Sequence, residues 1–359
     1  MKTLKKEPLI RISKRTELSN NKIFLLRLFS VLLAIIAGGI FILCIGHNPI
    51  EVYGTIISGA FRSTLAFQGT VKIMIPLLIT SLGVTLAFKM QFWNIGGEGQ
   101  IIMGAVFASY FALYHSDMPH WLLIIVMFIA GIIGGGLWGL IPTIFKCKFN
   151  TNETLFTLML NYIALYVITF LRDGPWKDPA SSGFPKIARF SQNAQLDSVL
   201  GVQMGWIVAL VLVVLVFVYL KYTKRGYEIS VVGESKATAA YAGINVNKVT
   251  LVTMFLSGAV CGLAGVVQAA GSDMTLATSV AGGVGFTAII VSWLAQLNAF
   301  GILIVSFLFS ILEKGSSVMQ STYGISTYSA DVLQGVILFF VLGCEFFVRY
   351  KFVLRGRVK

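Results

Sequence analysis

Long apolar runs recur along the whole of this 359-residue chain, and they restrict its possible folds more than any other feature. Many of them approach or exceed the roughly 18 to 20 residues that an α-helix needs to cross a bilayer. Only 12% of the residues are charged, about half the fraction found in a typical soluble domain. The sequence therefore predicts an all-α fold, a polytopic bundle of transmembrane helices.

Hydropathy predicts about ten spans, with both the N-terminus and the C-terminus in the cytoplasm. The first apolar stretch is too long for the core of a signal peptide, and no cleavage-site pattern follows it. The eighth and ninth spans are short, so they form either a hairpin or a re-entrant pair around 296–298. The predicted spans are 26–46, 71–89, 95–114, 121–145, 154–171, 204–221, 249–271, 284–298, 299–313 and 331–350.

The distribution of basic residues supports this topology. Of the 28 lysines and arginines, 21 fall on the predicted inner side, as the positive-inside rule expects. Because the net charge of +13 reflects this topology and not an aromatic-rich basic patch, the expected surroundings are membrane lipids, and no nucleic-acid partner is expected. The predicted parts are basic cytoplasmic tails at 1–25 and 351–359, a transmembrane domain at 26–350, an extracellular loop at 172–205 and a cytoplasmic segment at 223–248.

Several kinds of site are excluded by the motifs that the sequence lacks. The four cysteines are far apart without a CxxC pair, and there is no HExxH motif, so no metal site is expected. No Ser-His catalytic constellation is visible, and the chain is not expected to be an enzyme. There is also no Gly-Lys dipeptide, so the chain cannot form a P-loop around ATP phosphates. The expected cofactor set is empty, and any ATP used must be bound by a separate subunit.

A glycine-rich stretch, Asn94–Gln100, interrupts the apolar pattern between the second and third spans. Three glycines within four residues make a continuous helix unfavourable there. Broken helices at membrane depth occur where they line a cavity or are buried in protein, and transporters place binding sites at such breaks. Glu98 would be costly in lipid. The stretch is therefore a structural pivot or pathway element, or else an ordinary cytoplasmic turn.

Two further polar patterns lie in or beside predicted spans. Glu153, Thr157 and Asn161 recur every four residues, so they share one helical face that lines a pathway or packs against another helix. The stretch Gly271–Trp293 combines Asp273 with a second glycine cluster, about where a repeat partner of the first break would fall.

Small residues spaced by four predict close helix packing. They are Gly131, Gly135 and Gly139, and Ser257, Cys261 and Gly265 with Gly258 and Gly262.

The segment Val232–Asn247 is polar and rich in alanine, and it lies on the predicted inner side between two apolar runs. Alanine favours a helix over Lys236–Ile244, and Gly243 suits the helix end. A short, positively flanked helix in this place indicates a docking site for a partner.

Three motifs together resemble the permease subunits of ATP-binding-cassette importers for ribose, branched-chain amino acids and nucleosides. They are FWNIGGEGQIIMGA at Phe92–Ala105, TNETLFTLMLNYIALY at Thr151–Tyr166, and the cytoplasmic stretch Thr223–Val249. The extra N-terminal span, the stretch Pro49–Phe61 and the Met159–Tyr162 motif resemble the larger permease of the nucleoside branch. The sequence departs from the family pattern at Ser230 and at Glu234–Ser235.

The resemblance implies that Lys236–Ile244 is a coupling helix seated on a cytoplasmic ATPase subunit. The implied coupling residues are Lys236, Ala239, Ala240, Tyr241, Ala242, Gly243 and Ile244. It also implies a second permease subunit, expected to be a different homologous chain, and a lipid-anchored extracellular substrate-binding protein. The expected location is the bacterial plasma membrane.

A nucleoside needs stacking surfaces and partners for its hydroxyl groups. Candidate pathway residues are Phe92, Trp93, Asn94, Glu98, Gln100, Glu153, Thr157, Asn161 and Phe286. Three alternatives stay open: the same importer class carrying a simple sugar, an ion-coupled secondary transporter that uses Glu98, Glu153 and Asp331, and a pore or scaffold subunit without transport of its own.

Overall fold

The computed structural model describes residues 10–14, 20–181, 183–326 and 328–354, which are mostly α-helical. The helices are α1 (Asn20–Cys44), α2 (Pro49–Phe61), α3 (Thr64–Lys89), α4 (Gly97–Tyr114), α5 (His120–Phe149), α6 (Glu153–Asp173), α7 (Gly205–Tyr222), α8 (Lys224–Glu234), α9 (Lys236–Tyr241), α10 (Val246–Val267, continued by a π-helix over Gln268–Asp273), α11 (Val284–Leu294), α12 (Ala299–Tyr323) and α13 (Tyr328–Arg349). Two small antiparallel sheets pair β1 (Ile10–Lys14) with β4 (Tyr350–Leu354), and β2 (Ser198–Val199) with β3 (Val202–Gln203).

Six helices in the described part of the chain are long and apolar enough to cross a membrane: α3, α5, α6, α7, α10 with its extension, and α12. The bent pair α1–α2, with a 110° angle at its break, makes a seventh if it is one span. The chain is thus a polytopic helical membrane protein, as predicted. The count of ten spans and the orientation stay predictions, although each predicted span overlaps one helix. With 11 residues, α11 is about 16 Å long and does not cross a bilayer alone.

The helices differ most from the sequence prediction at α2 and at α12. Helix α2 lies in a region expected to be an outer connection; it begins with Pro49 at its first position, and the Asn48 side chain accepts the Ile50 N–H at 3.0 Å. Helix α12 continues to Tyr323, ten residues past the predicted end at 313. The charged pair after the apolar run does not end the helix; Gly324, with a φ of +69°, follows its last residue.

Residues 1–59 and 315–359 form one of two compact units. Helices α1 and α13 pack together there, and the Tyr53 hydroxyl donates to the Ile35 carbonyl at 2.8 Å. Each predicted basic tail contributes one strand, β1 from the first tail and β4 from the second. The two strands pair antiparallel, with Ile10 opposite Leu354. Residues 20–25 of the first tail begin α1. The rest of the two tails, at 1–9, 15–19 and 355–359, lies outside the described residues.

Residues 60–314 form the second unit, whose centre is α10 packed against α5 and α4. Gly135 of α5 and Gly258 of α10 lie so close that a Cβ on either one would overlap the carbonyl oxygen of the other. A Cβ on Gly104 of α4 would overlap the backbone of Gly262 of α10, and a Cβ on Gly262 would overlap the carbonyl oxygen of Gly131 of α5. The predicted packing role of the small-residue faces is confirmed, since only a missing side chain lets the backbones approach this closely.

Within the predicted extracellular loop, residues 174–204 form a cap on one end of the second unit. Several of its apolar side chains, including Phe190 and Leu196, are buried with the helices of the second unit, whereas Phe184 and Leu200 are exposed. The Leu196 N–H donates to the carbonyl of Ala270 in the π-helix at 3.0 Å, and the Phe190 N–H donates to Met274 at 2.9 Å. We call this end of the unit the cap end; α8 and α9 lie at the opposite end of α10, which we call the α9 end.

Candidate functional sites

The glycine-rich break between α3 and α4 is a buried junction held by polar side chains. Asn94 is fully buried, and its Oδ1 accepts the Gly96 N–H at 3.0 Å and the Gln100 side-chain amide at 3.2 Å. Its Nδ2 donates to the Ser257 hydroxyl of α10 at 3.2 Å. Ser257 lies about 16 Å beyond the first residue of α10. The break therefore lies beside the interior of a membrane-spanning helix and is not a turn at its end.

Two residues of α6 fasten the backbone of this junction. The Asn161 side chain accepts the Gly99 N–H and donates to the Ile95 carbonyl, each at 2.9 Å. The Thr157 hydroxyl accepts the Ile95 N–H at 3.2 Å. The polar face of α6 was expected either to line a pathway or to pack against another helix. For Thr157 and Asn161 the structure shows the second arrangement.

Glu98 joins the two glycine-rich stretches. Its Oε1 accepts the N–H of Gly283 and its Oε2 that of Gly285, each at 2.8 Å. Gly283 is the N-cap of α11, so the carboxylate occupies the positive end of that helix. Gly283 has a φ of +83°, which favours glycine. A Cβ on Gly285 would overlap the Glu98 backbone, so no larger residue fits there. The sequence places the second stretch about where a repeat partner of the first would fall, but it does not predict that the two stretches touch.

The other candidate pathway residues are dispersed. Glu153 shares a helical face with Thr157, but its carboxylate pairs with Lys146 of α5 at 2.8 Å. Phe92 is buried among apolar side chains near α8 and α9, so it presents no surface to a pathway in this structure.

Trp93 is nearly half exposed and stacks on Trp293, with ring centroids 5.5 Å apart. Phe286 is also exposed, in the first turn of α11. Trp293 was absent from the sequence-based candidates, because nothing in its local pattern marks it as a partner of Trp93.

Helix α9 is short and fixed at both ends. The Ser235 hydroxyl caps its first turn by accepting the Thr238 N–H at 3.2 Å. At the other end, Gly243 has a φ of +78° and its N–H bonds to the Ala240 carbonyl, while the Ile244 N–H bonds to the Ala239 carbonyl, both at 3.0 Å. This pair of bonds is the Schellman motif. The predicted helix is present, but it ends at Tyr241, so Ile244 lies in its terminating turn.

The exposed face of α9 differs from the predicted contact set. Ala239 is fully buried beneath the helix against Ile229 and Val232 of α8, so it is not available to a partner. Tyr241 is 96% exposed. With 3.6 residues per turn, Ala237 and Tyr241 point most directly away from Ala239.

The remaining positions of this segment follow from that arrangement. Lys236, Ala240, Ala242 and Gly243 are exposed and Ile244 is half-buried. Ala237, which is also exposed, was missed because its orientation depends on which face of the helix the core covers.

A groove of about 550 Å³ borders α9 on one side. Lys224, Arg225 and Lys248 line it, together with the turn at Gly243. Glu228 also lines it and pairs with Arg225 at 2.7 Å, so the groove has a net positive charge.

Comparisons of the sequence with known proteins show the family of this chain. Residues 65–342 match the family model described as the permease component of the branched-chain amino acid transport system. The chain is 31% identical over 335 residues to the nucleoside ABC transporter permease protein NupB of Lactococcus lactis, covering 90% of this chain and 92% of that relative.

Two other relatives are similar over nearly their whole length. The guanosine ABC transporter permease protein NupP of Bacillus subtilis is 29% identical, covering 88% of this chain and 92% of its own. The glucose ABC transporter permease protein TsgB13 of Haloferax volcanii is 29% identical, covering 90% and 88%. The family model covers more than half of the chain, so this protein belongs to the permease components of the branched-chain amino acid transport family and is a multi-pass membrane subunit of an ABC transporter.

Proposed function

We propose that the chain is the permease subunit of an ATP-driven importer for nucleosides, which moves substrate across the bacterial plasma membrane by alternating access. The observation that carries the substrate class is the similarity to NupB and NupP along about nine tenths of each chain. A simple sugar is the second candidate, favoured by the equally extensive similarity to the glucose permease TsgB13.

The proposed topology has ten membrane segments, with both termini and the α9 end in the cytoplasm and the cap end outside. The eighth and ninth segments enter the membrane together as a hairpin, because α11 is too short to cross it alone. The 21 inner lysines and arginines support this orientation. The domain boundaries follow from it: cytoplasmic tails at 1–25 and 351–359, the permease domain at 26–350, the coupling segment at 223–248 and the extracellular cap within 172–205.

The proposed coupling element is α9 with its terminating turn. ATP is bound and hydrolysed by a separate cytoplasmic ATPase subunit, since the sequence contains no P-loop. The exposed side chains of Ala237, Ala240 and Tyr241 form the contact, in place of the buried Ala239. Because Asn245 caps α10 directly after this turn, by accepting the Lys248 N–H at 3.0 Å, a displacement of α9 is passed to α10 over a very short connection.

The proposed external contact is the cap, which would receive a lipid-anchored substrate-binding protein. The cap bonds to the π-helical end of α10, so α10 connects the cap with the α9 end. A second, homologous permease would complete the pathway. Of the pathway candidates, Trp93 and Phe286 offer exposed aromatic surfaces, while Asn94, Gln100, Thr157, Asn161 and Glu98 hold the junction on which those surfaces are mounted.

The test is uptake by cells that express the whole transporter, with its ATPase, partner permease and binding protein. Uptake of labelled guanosine and uridine should require ATP, and excess unlabelled nucleoside should abolish it, while excess ribose, glucose or leucine should not. Competition by glucose or ribose, but not by nucleosides, would favour the sugar importer. Uptake that follows an ion gradient and persists without ATP would refute both.

A further inference from the structure

A second cavity, of about 250 Å³, lies on the α10 side of the coupling segment, between the end of α5, the start of α9 and the first turn of α10. Two lysines from different elements line it: Lys146 in the last turn of α5 and Lys236 at the first position of α9. Met90 and Phe92 supply an apolar wall. The part of the lining that the structure describes contains no carboxylate.

The polar groups of the cavity favour an anion over other ligands. Lys146 pairs with Glu153 at 2.8 Å, so the opposite charges of these two side chains cancel. Lys236 is exposed, and no ion pair of its side chain is found among the described residues, so it gives the cavity a net positive charge. The side chains of Asn150 and Asn247 add amide donors.

Helix ends modify this charge in opposite directions. Asn247 lies in the first turn of α10, whose N–H groups carry partial positive charge. The carbonyls at the end of α5 contribute partial negative charge, which Lys146 offsets in that last turn. Ammonium and amide groups that line one cavity beside a helix N-terminus suit a phosphate group, which has several acceptor oxygens at tetrahedral positions.

We propose that this cavity binds a phosphate group and thereby ties the coupling helix α9 to the membrane helix α5 through Lys236 and Lys146. Phosphate in this position comes either from an anionic lipid headgroup or from a free phosphate in solution. The binding itself does not depend on which substrate the transporter carries. Its consequence, that an occupied cavity restrains α9, rests on the proposed coupling role.

The first experiment measures binding of inorganic phosphate to the full chain, purified in neutral detergent, by titration calorimetry at constant ionic strength set with chloride. Lys236→Gln should weaken phosphate binding about tenfold or more, because a charge-assisted hydrogen bond is lost. Asn150→Gly should also weaken it; Asn150 has a φ of +51°, so glycine removes the amide without straining the backbone. The control is Lys248→Gln, which removes the same charge from the neighbouring groove and should bind as the wild type does.

The second arm identifies the lipid source. The wild type and the variants are placed in nanodiscs of phosphatidylcholine with and without phosphatidylglycerol, and their unfolding temperatures are compared. Stabilisation by phosphatidylglycerol that disappears in Lys236→Gln but not in Lys248→Gln assigns the cavity to a lipid headgroup, whereas binding of inorganic phosphate assigns it to a free phosphate. If neither arm gives binding, or if binding is unchanged in both Lys236→Gln and Asn150→Gly, the proposal is overturned.

Discussion

The Glu98 carboxylate accepts a hydrogen bond from the backbone N–H of Gly285 at 2.8 Å, across 187 positions of the sequence. A second bond, from Gly283, uses its other oxygen at the same distance. An acidic side chain in a membrane helix usually indicates a functional group. Here both carboxylate oxygens are occupied by the N-terminus of α11, so Glu98 fastens one interrupted helix to the other.

Replacing Glu98 by Gln tests this fastening. The amide has one acceptor oxygen where the carboxylate has two, and its NH₂ group would face a backbone N–H. We expect the free energy of unfolding to fall by about 1 to 3 kcal/mol. Thermal unfolding in detergent measures the loss, with the exposed Glu234→Gln as a control that should leave the transition unchanged. Equal unfolding temperatures for Glu98→Gln and the wild type would contradict the structural role.

Asn161→Leu keeps a side chain of similar size but removes the amide group, which makes hydrogen bonds to two backbone groups. The Gly99 N–H and the Ile95 carbonyl would lose their partner in a buried junction. Each unpaired buried group costs about 1 to 3 kcal/mol, so the expected loss of stability is larger than for Glu98→Gln. Tyr162→Phe, on the exposed side of the same helix, should be nearly neutral. A neutral Asn161→Leu variant would mean that water or another side chain satisfies these groups.

Gly258→Ala should separate α10 from α5. The new Cβ would overlap the Gly135 carbonyl oxygen, so the two backbones must move apart or the helix must shift. We expect a loss of about 1 to 3 kcal/mol, visible as a lower unfolding temperature. Gly54→Ala is the matched control: it lies inside α2 with no atom within 4 Å of its Cβ position. It should be neutral or stabilising by up to about 1 kcal/mol. Indistinguishable effects of the two substitutions would refute the close packing.

The turn after α9 predicts how strongly substitutions of Gly243 weaken binding of the ATPase subunit. Its φ of +78° is easy for glycine, tolerable for asparagine and strained by about 1 to 2 kcal/mol for other residues. Co-purification with the ATPase subunit should therefore decrease from Gly243 to Gly243→Asn and further to Gly243→Ala. A Gly243→Ala variant that retains the ATPase better than Gly243→Asn would exclude backbone conformation as the cause.

The outward face of α9 gives a separate prediction for coupling. Ala240→Glu places a charge and extra volume on the proposed ATPase contact without touching the core beneath Ala239. Uptake should fall at least tenfold while expression and membrane insertion persist. Ala240→Ser, which adds only a hydroxyl, should keep most of the activity. Wild-type uptake by Ala240→Glu would remove α9 from the coupling contact.

Much of the local structure was readable from sequence. The apolar runs predict the helical membrane fold because no other backbone arrangement of this composition satisfies its hydrogen bonds in lipid. Alanine content and Gly243 predict α9. Small residues spaced by four predict close packing of α5 and of α10, but not that these two helices pack against each other. Boundaries were less predictable: α2 was missed, and α12 runs past its charged pair, because an apolar window does not register a short amphipathic helix or a polar helix extension.

The candidate sites also depend partly on local sequence and partly on tertiary contacts. The sequence by itself determined which segments are exceptional: the break at Asn94–Gln100, the polar face of α6, the second glycine cluster and the segment around α9. Only the tertiary structure decided what they do to one another. It placed Glu98 on the N-terminus of α11, turned Ala239 inward and Tyr241 outward, and brought Lys146 and Lys236 to one cavity. Periodicity fixes which residues share a face of one helix, but which face is covered depends on contacts between segments far apart in the chain.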